Sequence, residues 1–220
     1  MVEFFLACNL QCHIERMFMQ RQLLAALATA IVLGASPVTL AADEAKLTFA
    51  EMSLKERQEA LLGSFLTANQ GALDAEARVM LAVGMKPEAD KNLAQALALV
   101  PEVTSGQMEE TLQSRTAANA ALANKLSVGG LTLNDAQKNE VTLGIEGMAL
   151  SVKQFGDMMT DFPELKKALR DGGLKRKKAL YASRFLPQSL ADSKQSLAAT
   201  VAFARANNIP FSPAAGELAK

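Results

Sequence analysis

The stretch NDAQKNEVTLGIEGMALSVKQFGDMMTDF, residues 134–162, decides the fold. Val141, Ile145, Met148, Val152, Phe155, Met159 and Phe162 recur at alternating steps of four and three. That is the 3.5-residue period of a helix that buries one seam against partner helices. Leu143 and Leu150 add a second apolar edge that widens the stripe. Asn134 stands where a cap is needed. Gly144, Gly147, Ser151 and Gly156 line an adjacent side. A helical glycine costs roughly 0.5–1 kcal/mol relative to alanine. Three in one helix imply that a neighbouring backbone comes close, so this stretch reads as the central helix of a bundle.

Working outward, the chain after Asp43 shows helical periodicity in every long segment and no sustained strand alternation. The expected fold is all-α: a single-domain bundle of seven to eight helices over residues 42–208, with an extended tail over 209–220. A first helix is expected over 53–69, opened by the capping box Ser53-Leu54-Lys55-Glu56 and ended by Gly71. Asp74 would cap a short second helix that ends at Gly84. Pro87 suits the first turn of a third, which carries Leu93, Leu97 and Val100 and stops before Pro101. A fourth is expected over 107–126, with Thr104 to Gln107 as a further capping box and Gly129-Gly130 behind it. After the central helix come a short sixth to Arg170, a seventh over 174–185 and an eighth over 189–207, the last two separated by Pro187. No repeat with a period of 34 or 40 residues is present, so a helical solenoid is not supported.

The N-terminal region reads as a leader. Arg21 supplies a positive start, residues 23–33 are apolar apart from Thr29, and Pro37 breaks the helix before Thr39-Leu40-Ala41, a small-residue cleavage site. Cleavage after Ala41 would remove residues 1–41 and send the mature chain to the periplasm or outside the cell. An uncleaved membrane anchor over the same apolar run is the alternative. Residues 1–18 carry Cys8, Cys12 and His13 ahead of the leader and read as a start assigned too far upstream. As a metal site they lack the four ligands that zinc requires. The removed segment takes two charges of each sign, and the full chain carries 23 of each, so the mature net charge stays at zero. Nothing global points to nucleic acid.

Removal of the leader leaves no Cys, no His, no Trp and one Tyr. Catalysis would then rest on a Ser–Lys dyad (Ser151 with Lys153, or Ser183 with Lys178) or on carboxylates: Glu109, Glu110, Glu146, Asp157 and Asp161. Neither dyad has a recognised spacing. Glu109 and Glu110 read more simply as first-turn acids favoured by the helix dipole. Glu146 stands out because it sits in a mostly apolar helix. The methionines are scattered, as core filler rather than a soft-metal site, and no metal or cofactor is expected.

The clearest surface feature is basic. From Leu165 to Arg184, Lys166, Lys167, Arg170, Lys175, Arg176, Lys177, Lys178 and Arg184 stand against Asp171 alone. Lys175, Arg176, Lys177, Lys178 and Arg184 are the candidate binding residues for an anionic surface: phospholipid or lipopolysaccharide phosphates, or an acidic envelope protein. A solvated face is the plain alternative. The expected function is therefore a non-catalytic binding or accessory protein of the bacterial cell envelope. A carrier of an apolar ligand held between helices, and a carboxylate-based enzyme, are the alternatives.

Overall fold

The computed structural model describes residues 53–160, 163 and 177–220. Of these, 83% are helical and none lies in a strand, so the fold is all-α. Among the described residues there are six helices: α1 Leu54–Ala82, α2 Lys86–Ala98, α3 Ser105–Ser127, α4 Asp135–Thr160, α5 Lys177–Ala206 and α6 Pro213–Leu218. The expected leader, the expected sixth helix and Lys175 and Arg176 lie outside the described residues.

Local chemistry sets most of the ends. Ser53 and Glu56 satisfy each other's backbone N–H groups at the start of α1, and Thr104 and Gln107 do the same for α3. Asn134 and Gln137 make the equivalent pair of bonds, both 2.9 Å, before α4. Each such box satisfies donors that the helix leaves open. Gly84, Gly129 and Gly130 adopt positive φ and turn the chain after α1 and α3.

Two expected breaks are absent. Gly71 does not end a helix, and Asp74 does not cap one: α1 runs through both for 29 residues. A Cβ at Gly71 would lie 3.2 Å from Ser151 Oγ, so the glycine serves contact with α4 rather than termination. Pro187 likewise lies inside α5, a helix of 30 residues. A proline removes one backbone bond and crowds the preceding turn. Here Pro187 is exposed, while Leu186 and Ser189 on either side are buried and hold the helix in place. The tail expected to be extended contains α6, capped by Ser212, whose Oγ accepts from Ala215 N.

The helices alternate in direction. Gln137 Nε2 donates to Ala82 O, while Gly147 meets Ala75 and Gly71 meets Ser151, so α1 and α4 are antiparallel. Arg115 and Thr116 meet Ser193 and Asp192, and Glu109 meets Tyr181, so α3 and α5 are parallel. The C-terminal segment folds onto α4. Thr142 Oγ1 donates to Pro210 O at 2.7 Å, and Glu146 accepts from Ser212 N at 2.7 Å and Ser212 Oγ at 2.8 Å.

The core has two apolar halves. One gathers Val79, Met80, Leu122, Val141, Ile145, Met148 and Val201. The other gathers Leu61, Phe65, Met108, Leu112, Phe155 and Leu186, with Phe65 and Phe155 edge to face at 6.3 Å. Val141, Ile145, Met148, Val152 and Phe155 of the α4 stripe are all buried. Leu143 and Leu150 are not: they stand 45% and 58% exposed, because the second apolar edge faces outward. On α2 the expected face is also shifted. Leu97 and Val100 are exposed, and Leu99 is buried in their place.

Between the two halves lies a polar layer. Glu76 and Arg115 are both 0% exposed. Arg115 donates through Nε to Glu76 Oε2 at 3.0 Å and through Nη2 to Glu76 Oε1 at 2.7 Å. Its Nη2 also reaches Ser193 Oγ at 2.6 Å, and Nη1 reaches Asn69 Oδ1 at 3.3 Å. Asn119 Nδ2 adds a bond of 3.0 Å to Glu76. The layer ties α1, α3 and α5 at one level.

Removing one partner of a buried ion pair strands the other charge and typically costs about 3–5 kcal/mol, whereas replacing both with apolar residues is often neutral. Arg115→Met should therefore lower the urea midpoint severely, and Glu76→Leu should do likewise. The double variant should be more stable than either single one. Equal, additive losses in the double-mutant cycle would contradict this account.

The small face of α4 gives a second expectation. A Cβ at Gly147 would lie 2.8 Å from Ala75 Cβ, and one at Gly144 would strike Val79 Cγ2 and stand 2.9 Å from Ala75 O. Gly156 has nothing within 4 Å of that position. Gly144→Ala and Gly147→Leu should destabilise, the latter by about 1–3 kcal/mol through overpacking. Gly156→Ala should stabilise by roughly 0.5–1 kcal/mol through helix propensity. Thermal melts of the three variants check the sign of each change.

Candidate functional site

The carboxylates singled out in the sequence do not converge. Tyr181 Oη donates to Glu109 at 2.6 Å, joining α5 to α3. Glu110 is exposed on α3. Glu146 holds the C-terminal segment through Ser212. Asp157 pairs with Lys153 at 3.0 Å on the outer surface, both being about two-thirds exposed (68% and 66%). Asp161 lies outside the described residues. Among the described residues no group of three His, Cys, Asp or Glu side chains could hold a metal ion.

Of the Ser–Lys pairs, Ser151 and Lys153 separate, and the side chain of Lys178 lies outside the described residues. Ser151 is buried and donates to Gly147 O at 3.1 Å, while Lys153 points to Asp157. Two residues apart on a helix, they face different ways. Ser183 donates to Leu180 O within its own helix. Met80, Met108 and Met148 are at most 1% exposed and fill the core.

Of the basic candidates, Lys177 and Lys178 open α5. Arg184 is exposed one to two turns on, its guanidinium 5.4 Å from the Phe185 ring centroid. Phe185 stacks at 4.4 Å on Tyr181, so Glu109, Tyr181, Phe185 and Arg184 form a continuous patch. Burial, together with the hydrogen bond to Glu109 and its negative charge, pushes the Tyr181 hydroxyl up to about 12.

Two features were not read from the sequence. One is the polar layer. The other is an open groove of about 240 Å³ between α1 and α4. Gly71, Ala75, Gly147 and Ser151 form its floor, and Asp74, Arg78, Leu143 and Leu150 stand along its sides. Arg78 bonds Asp74 at 3.1 Å and Glu140 at 3.2 Å. Partial burial opposes its charge, yet the two carboxylates outweigh that and hold its pKa above the ordinary value. The signal for the groove was present in the small residues of α4. What the sequence did not reveal is that α1 would cover only half of that side.

Among the described residues no helix is long and apolar enough to cross a membrane. No protein-family profile, curated protein or solved structure matches the chain.

The chain's single tyrosine makes the Tyr181–Glu109 contact directly readable. Its absorbance titration should have a midpoint near 12 instead of 10. Glu109→Gln should bring that midpoint down part of the way, since burial still favours the neutral hydroxyl. The folded state holds this proton more tightly than the unfolded state. Its contribution to stability is therefore complete below about pH 10 and lost as pH rises toward 12. A midpoint near 10 in the unmodified chain would refute the contact.

Proposed function

We propose that this chain is a non-catalytic binding or accessory protein of the bacterial cell envelope. Its attachment site is the basic segment that ends in Lys175, Arg176, Lys177, Lys178 and Arg184, and its partner is an anionic surface: phospholipid, lipopolysaccharide phosphate or an acidic envelope protein. One observation carries the non-catalytic part. Three carboxylates, Glu76, Glu109 and Glu146, are committed to holding elements of the bundle together, and the exposed Glu110 and Asp157 do not converge with them. Glu109 holds α5, Glu146 holds the C-terminal segment, and Glu76 is sealed with Arg115 at 0% exposure. A general acid or base must reach the proton that it moves, and a carboxylate with no accessible surface cannot. The envelope part rests on the apolar leader over residues 19–42. The attachment part rests on charge. Lys175, Arg176, Lys177 and Lys178 follow one another in the sequence with no acid between them, and Arg184 stands six residues on.

Each basic residue near an anionic membrane contributes on the order of 1 kcal/mol, and the field fades within a Debye length. Changing Lys175, Arg176, Lys177 and Lys178 together to glutamine should reduce sedimentation with anionic vesicles at low salt. Neutral vesicles should bind neither form. The urea midpoint should hardly move, as expected of a segment that serves attachment and not folding. Indifference of the unmodified protein to anionic vesicles at low ionic strength would overturn the attachment site.

A further inference from the structure

We propose that the outer face of the α1/α4 pair is a self-association surface, on which two copies of this chain pack about a two-fold axis crossing the helices near Ala75 and Gly147. Its starting point is Leu143 and Leu150, 45% and 58% exposed, with Leu81 at 43% on the adjoining stripe of α1. Scattered exposed leucines are ordinary on any surface. Leu143 and Leu150 flank a glycine-floored groove between α1 and α4.

The pattern fits its own copy. Leu143 stands four residues before Gly147 and Leu150 three after it. A two-fold axis perpendicular to α4 at that level sets Leu143 of each copy over Leu150 of the other. The bare glycine between them leaves room at the axis. Such an interface is isologous and closes with two copies. The same axis treats the charges well. Residues 75 and 147 lie at one level, so the rotation carries Arg78 of one copy to the stretch between Gly71 and Asp74 of the other. Arg78 can then face the partner copy's Asp74 as well as its own, and the two copies place alternating charges together.

The size of the face sets the strength. About 20 residues on each helix span roughly 30 Å at 1.5 Å per residue, and two helix diameters give about 20 Å of width. That is on the order of 600 Å² per copy, below the roughly 800 Å² typical of a stable interface. The dimer should therefore be weak, dissociating in the micromolar range or above. It is independent of the anionic-surface reading.

Sedimentation equilibrium of the full chain from about 1 µM to about 1 mM should show a monomer–dimer exchange. Leu143→Glu and Leu150→Glu should each abolish the dimer and leave the urea midpoint unchanged, since both side chains face outward. A second measurement fixes the geometry. With Cys8→Ser and Cys12→Ser as background, Leu143→Cys and Leu150→Cys are made separately and oxidised alone or mixed. The mixture should cross-link. Each variant alone should not, because its two cysteines would be offset by seven residues, about 10 Å along the helices, beyond the roughly 7 Å Cα separation that a disulfide spans. A chain that stays monomeric at about 1 mM, a dimer indifferent to both glutamates, or cross-linking that ignores the pairing overturns the proposal.

Discussion

Glu76 and Arg115 are buried only because each has the other. An isolated carboxylate or guanidinium in an apolar core is strongly disfavoured. Arg115 offers five N–H donors in a rigid fork, and three partners from two other helices meet it: Glu76 and Asn69 from α1 and Ser193 from α5. The geometry permits one axial register. An apolar seam tolerates sliding, since one leucine contact resembles another. Shifting α3 by a turn here would strand a full charge. The two apolar halves of the core can therefore be filled loosely, with methionine and alanine, and still pack in one arrangement. Fixing register is a better-attested use of buried polar groups than raising stability.

The same layer explains why the close contact elsewhere is glycine-based. With α1 held by α3 and α5, its opposite side meets α4, and α4 needs bulk on its core seam for Phe155, Met148 and Ile145. Only small side chains fit on the side toward α1. Gly144 and Gly147 let the two backbones approach until a Cβ on either would collide with Ala75 or Val79. The helix-propensity loss of the glycines is local, whereas the contact they permit is shared by both helices. That close approach also pushes Leu143 and Leu150 outward, since the groove between the helices becomes too shallow to hide them.

Local signals told the truth about chemistry and less about extent. Capping boxes at Ser53 and Thr104 and the pair of bonds at Asn134 stand where the residue types put them, because a cap depends on four adjacent residues. The 3.5-residue seam of α4 is buried from Val141 to Phe155 as its spacing implies, while Met159 is half-buried and Phe162 lies outside the described residues. Gly71 and Pro187 misled because a breaker states only a local preference, and neighbours can override it. The polar layer was legible in a form that went unread. Asn69, Leu73, Glu76, Met80 and Val83 recur at steps of four and three. So do Met108, Leu112, Arg115, Asn119, Leu122 and Leu126, and on α5 Leu186, Ser189, Ser193, Ser196, Thr200 and Phe203. Each of these seams carries polar residues at its centre. A charge on a seam reads as an interruption when one helix is considered alone, and as a match only when a charge of opposite sign interrupts another. Of the basic site, the sequence supplied the composition and the order of residues, whereas the aromatic patch beside Arg184 depends on how α3 and α5 meet.

The two surface features constrain each other. α5 begins at Lys177, at the end of the bundle where the antiparallel α4 finishes. The groove runs along the flank of the bundle, so neither feature blocks the other. A two-fold axis perpendicular to α4 reverses the helix in the second copy. The first turns of α5 in the two copies of a dimer would then lie at opposite ends. Two such sites cannot grip one flat surface together, so pairing adds no avidity there, because simultaneous engagement depends on geometry. On the proposed attachment, they would instead hold two anionic surfaces a bundle's length apart. An accessory protein built this way would act as a spacer or bridge, and the weakness of the flank contact would make that bridge reversible.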